Sequence, residues 1–238
     1  MSDSLDFPLA PNAVDRRFQR RLLERMSAEL NDAATAATEV SYLTDVFFSF
    51  ELPASDARSF NAILAFGFGN RASGSSASPM PLAGPVNAAI AEAVFGLWRR
   101  NPLPVYAQWE VAQVLAAKYP QMNGMVWSLS PPVVAPNGSV SSPSLDAVVS
   151  AATALASASA LGKVAVVSHR DLAKLAIQTA RAHGLDAWAA ESLRLPLDYD
   201  LQARQTPYRQ RELFLVYALF LQLGNLRAEL IAREYPNG

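Results

Sequence analysis

Four short polar segments each follow an apolar run of the chain, at residues 67–71, 108–110, 128–130 and 168–170. Ligands of open parallel sheets bind beyond the carboxyl ends of the strands, where such segments would lie. Together they offer a glycine turn, an acid, hydroxyl groups and two cations, which suits a ligand with anionic and hydroxyl or amine groups. The sequence therefore predicts a small-molecule ligand, with Gly67, Gly69, Asn70, Arg71, Gln108, Ser168 and Arg170 as its binding residues.

Glu110 is the strongest candidate for a catalytic residue. As a carboxylate at a strand end it would act as a general base, or as an acceptor for an amine or hydroxyl group. A carboxylate at a helix start also gains about 0.3–1 kcal/mol from the helix dipole, so a capping role stays open. His169 is the second catalytic candidate, as a titrating group at the next strand end, and a purely structural histidine stays open there too.

The glycine turn does not predict a dinucleotide site, although residues 67–72 formally match the Gly-x-Gly-x-x-Gly/Ala fingerprint. That fingerprint should open a helix directly, whereas here it enters a loop rich in Ser, Gly and Pro. A tight turn, or a loop for another small ligand, is favoured. A hydrolase triad is disfavoured because Ser168 and His169 are adjacent and point to opposite sides of an extended chain.

Composition excludes several classes of protein. The net charge is -1, from 20 basic and 21 acidic residues, so neither nucleic acid nor an anionic membrane is an expected partner. With no Cys and only two His, a thiolate or histidine-rich metal centre cannot form, although carboxylate-bound Mg²⁺ stays open. The N-terminus lacks a signal-peptide pattern, and the most apolar stretch, residues 213–223, indicates a buried helix. We expect a cytoplasmic protein.

Strand and helix patterns alternate about four times, which predicts an α/β fold. The expected architecture is a three-layer sandwich with a mostly parallel, Rossmann-like sheet flanked by helices. Residues 60–238 would form this domain, and residues 1–59 a helical arm packed on it; residues 42–50 are ambiguous between strand and helix. The Ser/Gly/Pro-rich segment 72–85 predicts a mobile loop over the strand ends. Predicted strands cover the apolar run from residue 60 to 69 and residues 105–108, 124–129, 163–167 and 187–190; predicted helices cover 12–30, 86–99, 144–161 and 171–183, with others from about 109 and 207.

Several segments resemble the YdcF/ElyC/SanA family of bacterial proteins. They are the glycine-ended strand 63–69, the sequence Gln-Trp-Glu-Val-Ala at 108–112, the strand ending at Ser168, and Arg211-Glu212 in the last helix. The resemblance covers about residues 60–223 and implies a Rossmann-like fold. It also implies binding of S-adenosylmethionine or a nucleotide-like compound, since at least one member binds the former, and envelope-related roles for some members.

The chain departs from the family pattern in two helices. Leu172, Lys174 and Leu175 stand where members carry a His and an Arg, and Asp146 and Ala147 stand near the usual Asn. The retained glycines and Glu110 favour a tailoring enzyme, of the transferase or lyase type rather than a hydrolase. The lost residues favour a non-catalytic ligand-binding or assembly protein with a vestigial site. Both functions, and a homodimer, stay open.

Overall fold

The computed structural model describes residues 13–73, 80–135 and 140–235. Its centre is a six-stranded sheet in which every described pairing is parallel. In spatial order the strands are β1 (Ala54–Ser55), β10 (Asp186–Ala190), β9 (Lys163–Val167), β2 (Ala62–Ala65), β5 (Val105–Gln108) and β6 (Val126–Leu129). All residues of β2 and β5 are buried, as expected for central parallel strands covered on both faces.

The described part of the chain also contains eight α-helices. They are α1 (Ala13–Leu30), α2 (Ala33–Phe48), α3 (Pro85–Trp98), α4 (Trp109–Lys118), α5 (Leu145–Leu155), α6 (Ala158–Leu161), α7 (Arg170–Ala182) and α8 (Arg211–Glu234). The predicted α/β class with a parallel Rossmann-like sheet is therefore confirmed. The strands predicted at 105–108 and 163–167 have the predicted bounds.

Two helical predictions need revision. The ambiguous residues 42–50 lie mostly in α2, which Asp32 caps by accepting from the amides of Ala34 and Thr35. The helix predicted at 144–161 begins as expected, with Ser144 accepting from the amide of Ala147, but breaks at Ala156, whose backbone is extended. Ser157 then caps the separate helix α6 by accepting from Ala160. Because serine side chains satisfy the first free amides of a helix, a second serine allows a second start.

The predicted loop at 72–85 is held at its base by a short strand pair. Strand β3 (Asn70–Arg71) pairs antiparallel with β4 (Leu82–Ala83), and Pro85 begins α3 directly afterwards. A similar pair joins β7 (Val133–Val134) to β8 (Val140–Ser141). The centre of the predicted loop, residues 74–79, lies outside the described residues, so its mobility stays a prediction.

The described chain divides into two compact units, one formed by residues 13–51 with 219–235 and the other by residues 52–218. The first contains α1, α2 and the part of α8 from Leu219 onward; the second contains the sheet, the remaining helices and the start of α8. The expected arm over residues 1–59 stays a prediction, and its first twelve residues lie outside the described ranges.

Helix α8 differs from the buried helix predicted at 213–223. Phe214 and Ala218 are buried, but Val216 is 70% and Phe220 74% exposed, because only one side of the helix packs against its neighbours. The helix also continues to Glu234, well beyond the predicted apolar stretch. Among the described residues, α8 is the one helix long and apolar enough to cross a membrane, judged by length and composition alone.

Candidate functional site

The turn after β2 is held by amide side chains from two neighbouring elements. The Gly67 amide donates to Gln108 Oε1 at 3.0 Å, and the Phe68 amide donates to Asn87 Oδ1 at 2.8 Å. Asn87 also donates through Nδ2 to the Gly69 carbonyl at 2.6 Å. Because Asn87 lies in the first turn of α3 and Gln108 ends β5, these bonds fix the glycine turn over the carboxyl ends of two strands.

Glu110 lies beneath this turn, in the first turn of α4, and is only 1% exposed. Asn70 Nδ2 donates to its Oε1 at 3.2 Å, while no described residue hydrogen-bonds to its buried Oε2. Burial raises the pKa of Glu110 to about 7, although the hydrogen bond from Asn70 acts in the opposite direction. A carboxyl group that titrates near neutral pH can both accept and return a proton, as a general acid–base requires.

Gly67 is required at its position by the closeness of Glu110. A Cβ atom on Gly67 would lie 2.9 Å from Glu110 Oε2 and 3.2 Å from Asn87 Oδ1. No side chain fits in that space without displacing the carboxyl group. The sequence therefore places a glycine where the turn must approach the acid closely, which is a use of glycine unrelated to a dinucleotide fingerprint.

Residues 191–210, here named the covering segment, lie over the turn. Arg71 donates to Asp200 through two bonds of 2.7 and 2.8 Å, and the Arg204 amide donates to the Asn70 carbonyl at 2.7 Å. Gln205 Oε1 accepts from the Asn70 amide at 3.1 Å. The Arg71 guanidinium lowers the pKa of Asp200 below its usual value. These bonds hold the covering segment over the glycine turn and the Glu110 carboxyl group beneath it.

Gly69 gives the covering segment room to approach. Its φ of +67° is a conformation that favours glycine, and a Cβ atom there would lie 2.9 Å from Tyr208 Cβ. Tyr208 also packs edge-on against Phe68, with ring centroids 4.8 Å apart. Burial raises the pKa of the Tyr208 phenol, so its hydroxyl group stays neutral near the carboxyl group of Glu110.

His169 occupies the end of β9 in a different role. It is the N-cap of α7, where Nδ1 accepts from the Asp171 amide at 3.2 Å, and its ring stacks on Phe68 at 3.8 Å between centroids. The residue is fully buried, and no described group accepts from its Nε2. Burial lowers the pKa of His169, so the neutral ring is favoured. Its geometry supports the structural alternative more directly than the catalytic one.

A charged network behind His169 was not predicted from the sequence. Tyr199 donates to Asp171 Oδ2 at 2.8 Å, and Arg211 donates to both Asp171 oxygens at 3.0 and 3.1 Å. Tyr199 contacts the His169 ring edge-on at 4.7 Å between centroids. The network fastens the covering segment and the start of α8 to α7.

The structure brings together five of the predicted site residues: Gly67, Gly69, Asn70, Gln108 and Glu110. Arg71 is nearby, but its guanidinium forms an ion pair with Asp200. Ser168 is fully buried, and its Oγ has no described hydrogen-bond partner. The backbone amide of Arg170, the residue after His169, donates to the Pro196 carbonyl at 2.9 Å. Ser128 instead lines a separate cavity beside α4.

Sequence reasoning missed Asn87, Asp200, Gln205 and Tyr208. Only Asn87 carries a local signal, as a polar residue among the apolar positions of a predicted helix. The other three lie in the irregular segment before α8, where no pattern indicates which residue would reach the turn. No group of three or more His, Asp or Glu residues within the described ranges could hold a metal ion.

Fold and site together define a Rossmann-like α/β protein with a buried carboxyl group beneath a glycine turn. Comparison with protein-family models, with curated proteins and with solved structures finds no match to this chain. The resemblance to the YdcF/ElyC/SanA family therefore stays a prediction from the segments that carry it.

Proposed function

We propose that this chain is an enzyme of the YdcF-like type that acts on a small polar metabolite, with Glu110 as its general acid–base. The observation that carries the proposal is a buried carboxyl group with one free oxygen and a pKa near 7, at the carboxyl end of a parallel sheet. Perturbed carboxyl groups at such positions are typical of functional sites. A soluble cytoplasmic role in a specialised biosynthetic pathway, as a transferase or lyase, fits this proposal.

S-adenosylmethionine or a nucleotide-like compound is the ligand class we propose. The free Glu110 oxygen suits an ammonium group or a ribose hydroxyl, and the Asn70 and Gln108 amides suit the polar groups beside them. S-adenosylmethionine, where bound, supplies an activated methyl group. Glu110 would hold or remove a proton of the substrate, and the glycine turn would position the ligand by close backbone approach.

Ligand entry requires the covering segment to move, because Glu110, Asn70 and Gln108 are each less than one-tenth exposed. The segment has only one short helical turn, Thr206–Arg209, and its bonds to the glycine turn come mainly from the side chains of Arg71 and Gln205. An incoming polar ligand could replace these side-chain hydrogen bonds and so release the covering segment from the glycine turn. Closure would then exclude water from the reacting groups.

The proposal is tested by measuring the melting temperature of the protein with each compound of a ligand panel. A compound at about 100 times its dissociation constant adds roughly 2.7 kcal/mol of stability. We expect an adenosyl, nucleotide or sugar-phosphate compound to raise the melting temperature of the wild type but not of Glu110→Gln. Glu92→Gln is the matched control, since Glu92 is exposed on α3 and should leave the shift unchanged. A flat response across the panel would contradict the proposal.

A non-catalytic binding or assembly protein is the second candidate. It is favoured because the backbone amides of the glycine turn are already hydrogen-bonded within the protein. The side chains of Gln108, Asn87 and Gln205 accept from the amides that a ligand would use. A vestigial site of this kind would show a ligand-induced shift without turnover, or no shift at all. Turnover by the wild type that is lost in Glu110→Gln would decide for the enzyme.

A further inference from the structure

The covering segment carries a cation that the glycine turn does not neutralise. Arg204 Nη1 donates to Asn70 Oδ1 at 3.4 Å, a long bond to an uncharged amide. No carboxylate of the described residues lies within ion-pair distance of the Arg204 guanidinium. By contrast, Arg71 pairs with Asp200 and Arg211 pairs with Asp171. Arg204 therefore differs from both arginines in that its charge has no partner in the described part of the chain.

Arg204 is held in place by its backbone rather than by its charge. Its amide donates to the Asn70 carbonyl at 2.7 Å, and its carbonyl accepts from Arg209 Nη2 at 3.4 Å. The next residue, Gln205, accepts from the Asn70 amide through Oε1 at 3.1 Å. Because these bonds fix the backbone of Arg204, a ligand that binds its side chain does not have to order the segment first.

Asn70 connects Arg204 to the candidate general acid–base. The Asn70 side chain accepts from Arg204 at Oδ1 and donates through Nδ2 to Glu110 Oε1 at 3.2 Å. Asn70 is 1% exposed, whereas Arg204 is half-buried, so the arginine lies nearer to solvent than the amide. A ligand at the glycine turn would therefore meet Arg204 on the solvent side of Asn70, with Glu110 on the other side.

Ser142 adds a second donor at the same amide group. Its Oγ accepts from Gln205 Nε2 at 2.7 Å and from Asn70 Nδ2 at 3.4 Å. Both bonds use the oxygen as acceptor, so the hydroxyl hydrogen stays unused among the described residues. Ser142 is exposed, so a ligand can reach it from solvent. A guanidinium and a hydroxyl donor together suit the oxygens of a phosphate or a carboxylate.

We propose that Arg204, with Ser142 beside it, binds an anionic group of the substrate, a phosphate or a carboxylate. Nε and Nη2 of Arg204 donate to no described residue and can give two parallel hydrogen bonds to either anion. The inference rests on the proposed function for the place of the substrate and adds its charge. A phosphate fits a nucleotide-like compound, and a carboxylate fits S-adenosylmethionine. Arg71, the cation expected here from the sequence, is already paired with Asp200.

Inorganic phosphate and acetate are the first probes, and saturable broadening of their NMR signals measures their binding to the full chain. We expect at least one of them to bind the wild type. Arg204→Gln should weaken that binding at least about tenfold, because the charged donor is lost. Arg204→Lys should keep part of the phosphate affinity, since lysine binds phosphate as a point charge. Ser142→Ala should weaken binding about two- to tenfold, the effect of one lost hydrogen bond.

Arg194→Gln is the matched control. Arg194 is an exposed cation of the same covering segment, so its loss changes the net charge by the same amount. Binding should stay at the wild-type level in this variant. The melting temperature without ligand verifies that each variant folds; should Arg204→Gln not fold, Arg204→Lys and Ser142→Ala decide. Equal losses in Arg194→Gln and Arg204→Gln would overturn the site, because a general effect of charge would then explain both.

Two pairs of compounds identify the anionic group. Adenosine monophosphate differs from adenosine by a phosphate, and S-adenosylhomocysteine differs from methylthioadenosine by an amino-acid group with a carboxylate. We expect the charged member of one pair to bind the wild type at least about tenfold more tightly, and this preference to be lost in Arg204→Gln but kept in Arg194→Gln. A wild type without preference for an anion in either experiment, or a preference unchanged in Arg204→Gln, overturns the inference.

Glu110→Gln separates this inference from the proposed function. The variant lacks the candidate general acid–base, yet it should bind phosphate or acetate at least as tightly as the wild type, because only a negative charge is removed. Anion binding through Arg204 in a protein without turnover would support this site while the proposed function fails. A melting-temperature rise with S-adenosylhomocysteine or adenosine monophosphate that is equal in wild type and Arg204→Gln would overturn this site while the proposed function stands.

Discussion

The turns that follow β5 and β9 both bury a titratable side chain at the start of a helix, yet they use it differently. At the first turn, Gln108 forms no side-chain cap, and Glu110 keeps a free oxygen beneath the glycine turn. At the second turn, His169 is itself the cap of α7 and stacks on Phe68. A strand-end position therefore does not define a reactive group; the local backbone decides whether the side chain is already engaged.

Burial pushes both groups toward their neutral forms, with opposite consequences for the pH dependence of stability. The pKa of Glu110 is raised above its unfolded value, so folding is favoured below about pH 4.5 and weakened as pH rises toward 7. The pKa of His169 is lowered, so folding is favoured above its unfolded value of 6.5 and weakened as pH falls below it. Between pH 4.5 and 6.5 the two effects overlap with opposite signs, so a variant of each residue is needed to separate them.

Phe68→Ala should have the largest effect, because it removes the ring on which His169 stacks. The Phe68 ring is 2% exposed and also contacts Tyr199, Tyr208 and Phe214. We expect the free energy of unfolding to fall by about 3–5 kcal/mol, as for other large-to-small changes in a core. Urea denaturation measures it, with the 57% exposed Leu155→Ala as the control. A loss below about 1 kcal/mol would show that the aromatic cluster is not packed as described.

Glu110→Gln tests the turn that follows β5. Since the pKa of Glu110 is raised from 4.5 to about 7, its ionisation costs on the order of 3 kcal/mol in the folded state. The variant lacks this cost, so its stability relative to the wild type should increase steadily between pH 4.5 and 7. Denaturation curves at several pH values measure the difference. A difference that stays constant with pH would mean that Glu110 is not desolvated.

His169→Asn tests the other turn while keeping a side chain that caps helices well. Loss of the stacked ring should cost on the order of 2 kcal/mol at pH 8. Below pH 6.5 the wild type is weakened by the low pKa of His169, and the variant is not, so the gap should narrow. This change of the stability difference with pH is opposite to the one expected if a protonated His169 stabilised the folded protein. A gap that widens at low pH would indicate that His169 is protonated in the folded protein.

Asp200→Asn should have the smallest effect on global stability, since it acts on the covering segment common to both turns. The change removes the charge that pairs with Arg71 but keeps the shape of the side chain. We expect faster limited proteolysis within residues 191–210, with little change in the melting temperature. Asp56→Asn, at an exposed ion pair with Arg58, is the control and should leave this cleavage unchanged. Equal cleavage of wild type and variant would show that the pair does not fasten the segment.

The order of the elements, and the glycine turn with its acid, follow from the pattern of residues along the chain. Alternating apolar runs and helix signals placed β5 and β9 at their observed bounds, because central parallel strands are continuously apolar. Gly67, Asn70, Gln108 and Glu110 were predicted together because the strands that carry them or lead to them are parallel, so their carboxyl ends share one edge of the sheet. These are consequences of local pattern and of topology.

Which polar groups remain available for chemistry depends instead on contacts that form when the chain folds. The ion pair of Arg71 with Asp200 and the close contact of Tyr208 with Gly69 both depend on where the irregular segment 191–210 lies. That segment has no periodicity from which its path could be predicted. The exposed side of α8 was also mispredicted, because apolar composition does not tell which residues of a helix find a neighbour. Hydrogen-bond partners and burial arise from contacts between residues distant in the chain, and these the pattern of a single sequence does not contain.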